Sequence, residues 1–94
     1  MAQNTTVNLA AATWTQLTNS NVTSITFQNI STNSILVVAT VGATPPSNLV
    51  GAIRYNPGQG ERNSLLTDLF PGVTGANRVY AYSEAGASAV VSHA

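Results

Sequence analysis

The chain's 94 residues make one domain with one modest core, since a chain of this size buries roughly 60–70% of its unfolded surface. Cysteine is absent, which excludes disulfide staples and thiolate metal sites. Charged residues are 6% of the chain, against about 25% in ordinary soluble domains, and the net charge is zero. Three arginines among three acids cannot neutralise a row of phosphates, so nucleic acid is not an expected partner.

All the charged side chains (Arg54, Glu61, Arg62, Asp68, Arg78 and Glu84) lie in the second half, and residues 1–53 carry no ionisable side chain. The polar surface must therefore be built from Ser, Thr, Asn and Gln. So few charges give a free monomer poor colloidal protection, which suits a protein working inside an assembly. No apolar run reaches the roughly 18–20 residues of a membrane span, and the opening MAQNTT lacks the basic and apolar regions of a signal peptide. The expectation is a protein made and used without crossing a membrane.

Residues 1 to about 10 are polar and then small, with Val7 and Leu9 as the only larger apolar side chains after Met1. They read as an arm, flexible when free and able to order on a partner, ahead of a single domain over residues 11–94. Thr13 to Leu17 alternates, with Trp14 and Gln16 opposite Thr13, Thr15 and Leu17, which predicts a short strand. Thr18-Asn19-Ser20-Asn21 supplies a turn. Val22 to Ile30 reads as a half-buried strand with Ile25 and Phe27 inward, and a slip in the pattern at Val22 suggests a bulge there.

Ser34 to Val41 is apolar at nearly every position and rich in β-branched residues, so it predicts a strand buried on both faces. Left exposed, it would be an aggregation site; other strands or a neighbouring subunit must cover it. Short polar turns on either side of Val22–Ile30 predict an antiparallel meander over residues 13–41.

After the Pro45-Pro46 loop, Leu49 to Tyr55 reads as a strand with Ile53 and Tyr55 on one face and Arg54 on the other. Asn56-Pro57-Gly58-Gln59-Gly60 is a turn, with Pro57-Gly58 suited to the centre of type II. Residues 64–70 have the only helical flavour, a turn or two before Pro71-Gly72. Arg78 to Ser83 and Ser88 to Ser92 complete the strands, Tyr80 and Tyr82 sharing one face. Short strands at this spacing predict an all-β fold, a small antiparallel β-sandwich or jelly-roll-like domain.

Catalytic chemistry has little to stand on. His93 is the only histidine and sits one residue from an end expected to fray; Glu61, Asp68 and Glu84 each have an arginine nearby, so ion pairs explain them as well as paired-carboxylate chemistry does. One histidine and three acids show no metal-ligand spacing, and Gly58-Gln59-Gly60 lacks the third glycine and the helix of a phosphate loop. No enzyme activity, cofactor or metal is expected. Trp14, Tyr55, Tyr80 and Tyr82 either fill a thin core or form a stacking platform for sugars.

Read together, Ala12-Thr13-Trp14-Thr15-Gln16-Leu17, the Val22–Asn29 strand, Tyr55-Asn56-Pro57-Gly58-Gln59-Gly60-Glu61-Arg62 and Arg78-Val79-Tyr80-Ala81-Tyr82 resemble small virion structural proteins of tailed bacteriophages. Within that group the chain is most similar to a capsid decoration, or cement, protein. The resemblance implies a β-rich homotrimer, made in the host cytoplasm, that binds the major capsid protein on the exterior of the shell and ties capsomers together; no catalytic residue comes with it. Gln3, Asn4, Thr5 and Val7 of the arm, with Arg54, Arg62 and Arg78 as polar anchors, are the expected partner-binding residues. The alternative is a receptor- or glycan-binding module of a tail or fibre, using Trp14 or the tyrosines.

Overall fold

The computed structural model describes residues 2–94; Met1, the first residue of the expected arm, lies outside them. The strands run β1 Gln3–Leu9, β2 Thr13–Gln16, β3 Ser24–Asn29, β4 Ile35–Thr40, β5 Ile53–Tyr55, β6 Gly60–Leu65, β7 Arg78–Ser83 and β8 Ala87–His93, with a single helical turn, α1 Leu66–Leu69. They form two four-stranded antiparallel sheets ordered β1-β8-β3-β6 and β2-β7-β4-β5. The chain is thus a ribbon folded back on itself at the β4–β5 loop, so that β1 meets β8, β2 meets β7, β3 meets β6 and β4 meets β5. Rolling that ribbon brings β8 against β3 and β7 against β4, and the result is a small β-sandwich of jelly-roll order.

The sheets enclose a core of Leu9, Leu17, Ile25, Phe27, Ile35, Val37, Tyr55, Val79, Ala81 and Val91, to which α1 adds Leu66. Alternation along each strand puts these on one face, as period-two geometry requires. Phe27 of one sheet meets Tyr55 of the other edge to face, ring centroids 4.9 Å apart at 83°. Such a pair contributes about 0.5–1.5 kcal/mol beyond its buried area, and here it fixes one sheet against the other.

β4 is covered on both faces, and the chain itself supplies the cover. Ile35 and Val37 enter the core, while Val38, directly opposite Tyr80 on β7, packs in a second cluster with Phe70, Val73 and Ala52 from the flanking loops. Leu36 is the exception, half-buried on the outer face, and Val41, expected in the strand, lies beyond β4 and is 58% exposed.

Several expectations are corrected. The segment read as an arm is β1, in unbroken register with β8 from Gln3–His93 to Leu9–Ala87; Leu9 is core and Val7 packs against it. Residues 13–41 form no meander, because β2, β3 and β4 alternate between the sheets; the short polar turns arch across the sandwich instead of closing hairpins. The irregularity lies on β6: Ile25 faces Ser64 and Phe27 faces Glu61, so Arg62 and Asn63 together oppose Thr26. Asn63 adopts a left-handed φ of 45°, tolerable for Asn, and its N–H donates to Thr26 Oγ1 at 2.8 Å. Finally, His93 is a buried member of β8. The Leu49–Tyr55 strand shortens to β5, while the Asn56–Gln59 turn forms as expected, with Gly58 at φ 86° and Gln59 N–H donating to Asn56 O at 3.0 Å.

Candidate interaction surface

The register of the second sheet lines up one residue from each strand across its outer face. Arg54 on β5 is opposite Leu36 on β4, Leu36 is opposite Tyr82 on β7, and Tyr82 is opposite Trp14 on β2. At about 4.8 Å between strands the row spans roughly 14 Å. Trp14 and Tyr82 touch with ring centroids 5.4 Å apart, tilted by 53°. Below this row Tyr80 Oη donates to Gln16 Oε1 at 2.8 Å, which ties β7 to β2 and holds the aromatic residues in place. Trp14, Leu36 and Tyr82 are half-buried and Arg54 is exposed.

At the β5 end the row opens into a cleft of about 330 Å³ lined by Leu36 and Tyr82, with Leu49, Arg54, Glu84 and Ala85 around them. Leu49, in its lining, is 42% exposed, and the next residue, Val50, is 84% exposed. The β4–β5 loop cannot bury them, because β5 is three residues long and forms the edge of its sheet.

The expected partner-binding residues are dispersed. Gln3, Asn4, Thr5 and Val7 all lie on β1; Gln3 is spent inside the domain, its Nε2 donating to Leu17 O at 2.9 Å, and the half-buried Val7 supports the core. Arg54 belongs to the cleft just described. Arg62 sits on the β6 bulge and lines a separate cleft on the outer face of the other sheet, beside Thr26, Gln28 and Val90. Arg78 begins β7 and donates through Nε to Asn21 Oδ1 at 2.8 Å. Of the seven, only Arg54 joins the row.

The acidic residues are equally scattered, and no three of the His, Asp and Glu side chains gather into a metal-binding group among the described residues. Glu61 accepts a hydrogen bond from Tyr55 Oη at 3.1 Å. Burial, and then the charge and hydrogen bond of Glu61, push the Tyr55 hydroxyl up to about 12. Tyr55 is thus a core residue with its polar tip anchored, and it takes no part in the aromatic row.

Sequence reasoning placed Tyr80 and Tyr82 on one face but missed that Trp14, Leu36 and Arg54 share it. Pairing of β2 with β7 joins them, and those strands are separated by more than sixty residues. Comparison with protein-family models, with curated proteins and with solved structures returns no match.

Proposed function

We propose that this protein is a virion structural protein that docks on the outer surface of a tailed-phage capsid as an oligomer and stabilises capsomer contacts. The observation that supports a docking role is the Arg54–Leu36–Tyr82–Trp14 row with exposed Leu49, and Val50 next to it in the chain, at its end. Trp, Tyr and Arg are the residue types that dominate binding energy at protein interfaces, and a half-buried row on a rigid sheet presents them with little entropy left to lose. Repeated over the copies of an oligomer, modest contacts per subunit add through avidity. The resemblance noted above supplies the shell as the partner.

Cryo-electron microscopy of purified particles tests this directly. Hundreds of ordered copies on the shell, with this sheet face against the capsid, are expected; density confined to the tail refutes the reading. In reconstitution with bare shells, Trp14→Ala and Arg54→Ala each weaken occupancy by roughly tenfold or more; the exposed Arg54→Ala keeps the wild-type melting curve, while Trp14→Ala also loses its packing on Tyr82 and melts somewhat lower.

A second reading, a glycan-binding module, draws on the same Trp14 and Tyr82. Their mutual tilt of 53° favours packing over a flat platform for a sugar ring. Glycan-array binding lost in Trp14→Ala would support it instead.

A further inference from the structure

The four sheet edges are not alike. β6 is broken by its bulge and carries Glu61 and Arg62, while β2 and β5 are only four and three residues long. Bulges, charges and shortness are the devices by which edges avoid pairing with another chain. β1 has none of them: it is seven residues, QNTTVNL, without charge, proline or break in register.

Its free main-chain groups can be assigned. Ile30 N–H donates to Ser88 O, so Ser88 and its alternate neighbours Val90 and Ser92 face β3, and Ala87, Ala89, Val91 and His93 face β1. Antiparallel pairing then commits the backbone of Gln3, Thr5, Val7 and Leu9 to β8 and leaves that of Asn4, Thr6 and Asn8 pointing out of the sheet. The side chains of Asn4, Thr6 and Asn8 are exposed.

We infer that β1 pairs with β1 of a second copy of this chain, antiparallel and centred on Thr6. The free edge reads Asn-x-Thr-x-Asn in either direction, so a two-fold axis at Thr6 sets Asn4 against Asn8 of the sister copy and Thr6 against Thr6. Three residues per strand, each with one donor and one acceptor, give about six main-chain hydrogen bonds. No like charges meet, and threonine opposite threonine is a favourable cross-strand pair. The sheet continues through eight strands. An isologous contact of this kind closes at two copies, so the unit is a dimer, not the trimer implied by the resemblance. The inference concerns the isolated chain and stands whether or not the docking surface binds a capsid.

The test uses the absence of native cysteine. Directly opposed residues in a hydrogen-bonded antiparallel pair have Cα atoms about 5.5 Å apart, within disulfide reach. On oxidation Thr6→Cys is expected to form a covalent dimer. Asn4→Cys or Asn8→Cys alone is not, since each is displaced by four residues, roughly 13 Å, from its own copy. An equimolar mixture of Asn4→Cys and Asn8→Cys forms the crosslinked heterodimer. Sedimentation equilibrium of the wild type gives a dimer mass, and Thr6→Lys, which opposes two like charges at an exposed position, raises the dissociation constant at least tenfold while the melting curve of the monomer is kept. A monomer or trimer mass for the wild type, or crosslinking indifferent to position, overturns the proposal.

Discussion

Asn29 is fully buried, and its side chain is saturated with hydrogen bonds. Nδ2 donates to Asn33 O at 2.7 Å and to Tyr55 O at 3.1 Å; Oδ1 accepts from Ser31 N–H at 3.0 Å and from Ser31 Oγ at 2.7 Å. Its own main chain holds the Asn56–Gln59 turn, through Asn29 N–H to Gln59 O at 2.9 Å and Gly58 N–H to Asn29 O at 2.7 Å. One residue therefore ties the β3–β4 turn, the end of β5 and the β5–β6 turn together. Asn29→Ala removes four side-chain hydrogen bonds and strands the Ser31 N–H, while Asn33 O keeps Ser31 Oγ at 3.1 Å and Tyr55 O keeps its place in the β4–β5 ladder. A hydrogen bond is worth about 0.5–1.5 kcal/mol net, and four are lost, the part-buried ones at the lower end because water replaces them. The sum is roughly 3–4 kcal/mol. Total stability at about 0.05–0.15 kcal/mol per residue is roughly 5–14 kcal/mol for 94 residues, so a quarter or more of it goes. At about 4–8 °C per kcal/mol the melting temperature falls by roughly 15–25 °C. Urea unfolding is the assay, with a lowered midpoint and an unchanged slope. Asn29→Asp has no donors for the two carbonyls, so it loses at least as much at neutral pH and recovers in part on acidification, when the protonated carboxyl regains one. A loss below about 1 kcal/mol for Asn29→Ala, the net worth of an ordinary hydrogen bond, would refute the assignment of this residue as the tie.

Gly60 lies opposite Gln28, and a Cβ added there would stand 1.9 Å from Phe27 O, so Gly60→Ala forces β3 and β6 apart and costs several kcal/mol, about 2–4, in chemical unfolding. Asn63 holds a left-handed φ, so Asn63→Val destabilises by about 1–2 kcal/mol, while Asn63→Gly stays within about 1 kcal/mol of wild type; equal effects would remove the bulge geometry as the cause. Tyr55 is protonated more tightly in the fold than in the unfolded chain, whose tyrosine titrates near 10. Its contribution to stability is full below pH 10 and declines as the pH rises toward 12; Tyr55→Phe removes that decline, read as the difference between the two proteins' alkaline melting curves.

The sequence by itself determined the strands whose chemistry is local. β7 was legible because Arg78 to Ser83 alternates cleanly, the Asn56–Gln59 turn because Pro57-Gly58 matches a type II centre, and the one helical turn because Pro71-Gly72 ends it. The all-β class and the two-sided burial of β4 also follow from side-chain type and spacing alone. The partners of each strand were decided by tertiary structure, because a strand's backbone is the same whichever neighbour it bonds and only the roll of the whole ribbon chooses. That choice turned the expected arm into β1, since Val7 and Leu9 gain a core only when β8 is alongside. It also placed His93 inside the sheet, made Asn29 a buried tie, and brought Arg54, Leu36, Tyr82 and Trp14 into one row across four strands that are distant in the chain. Composition specified what this surface is made of, and long-range register specified where it is.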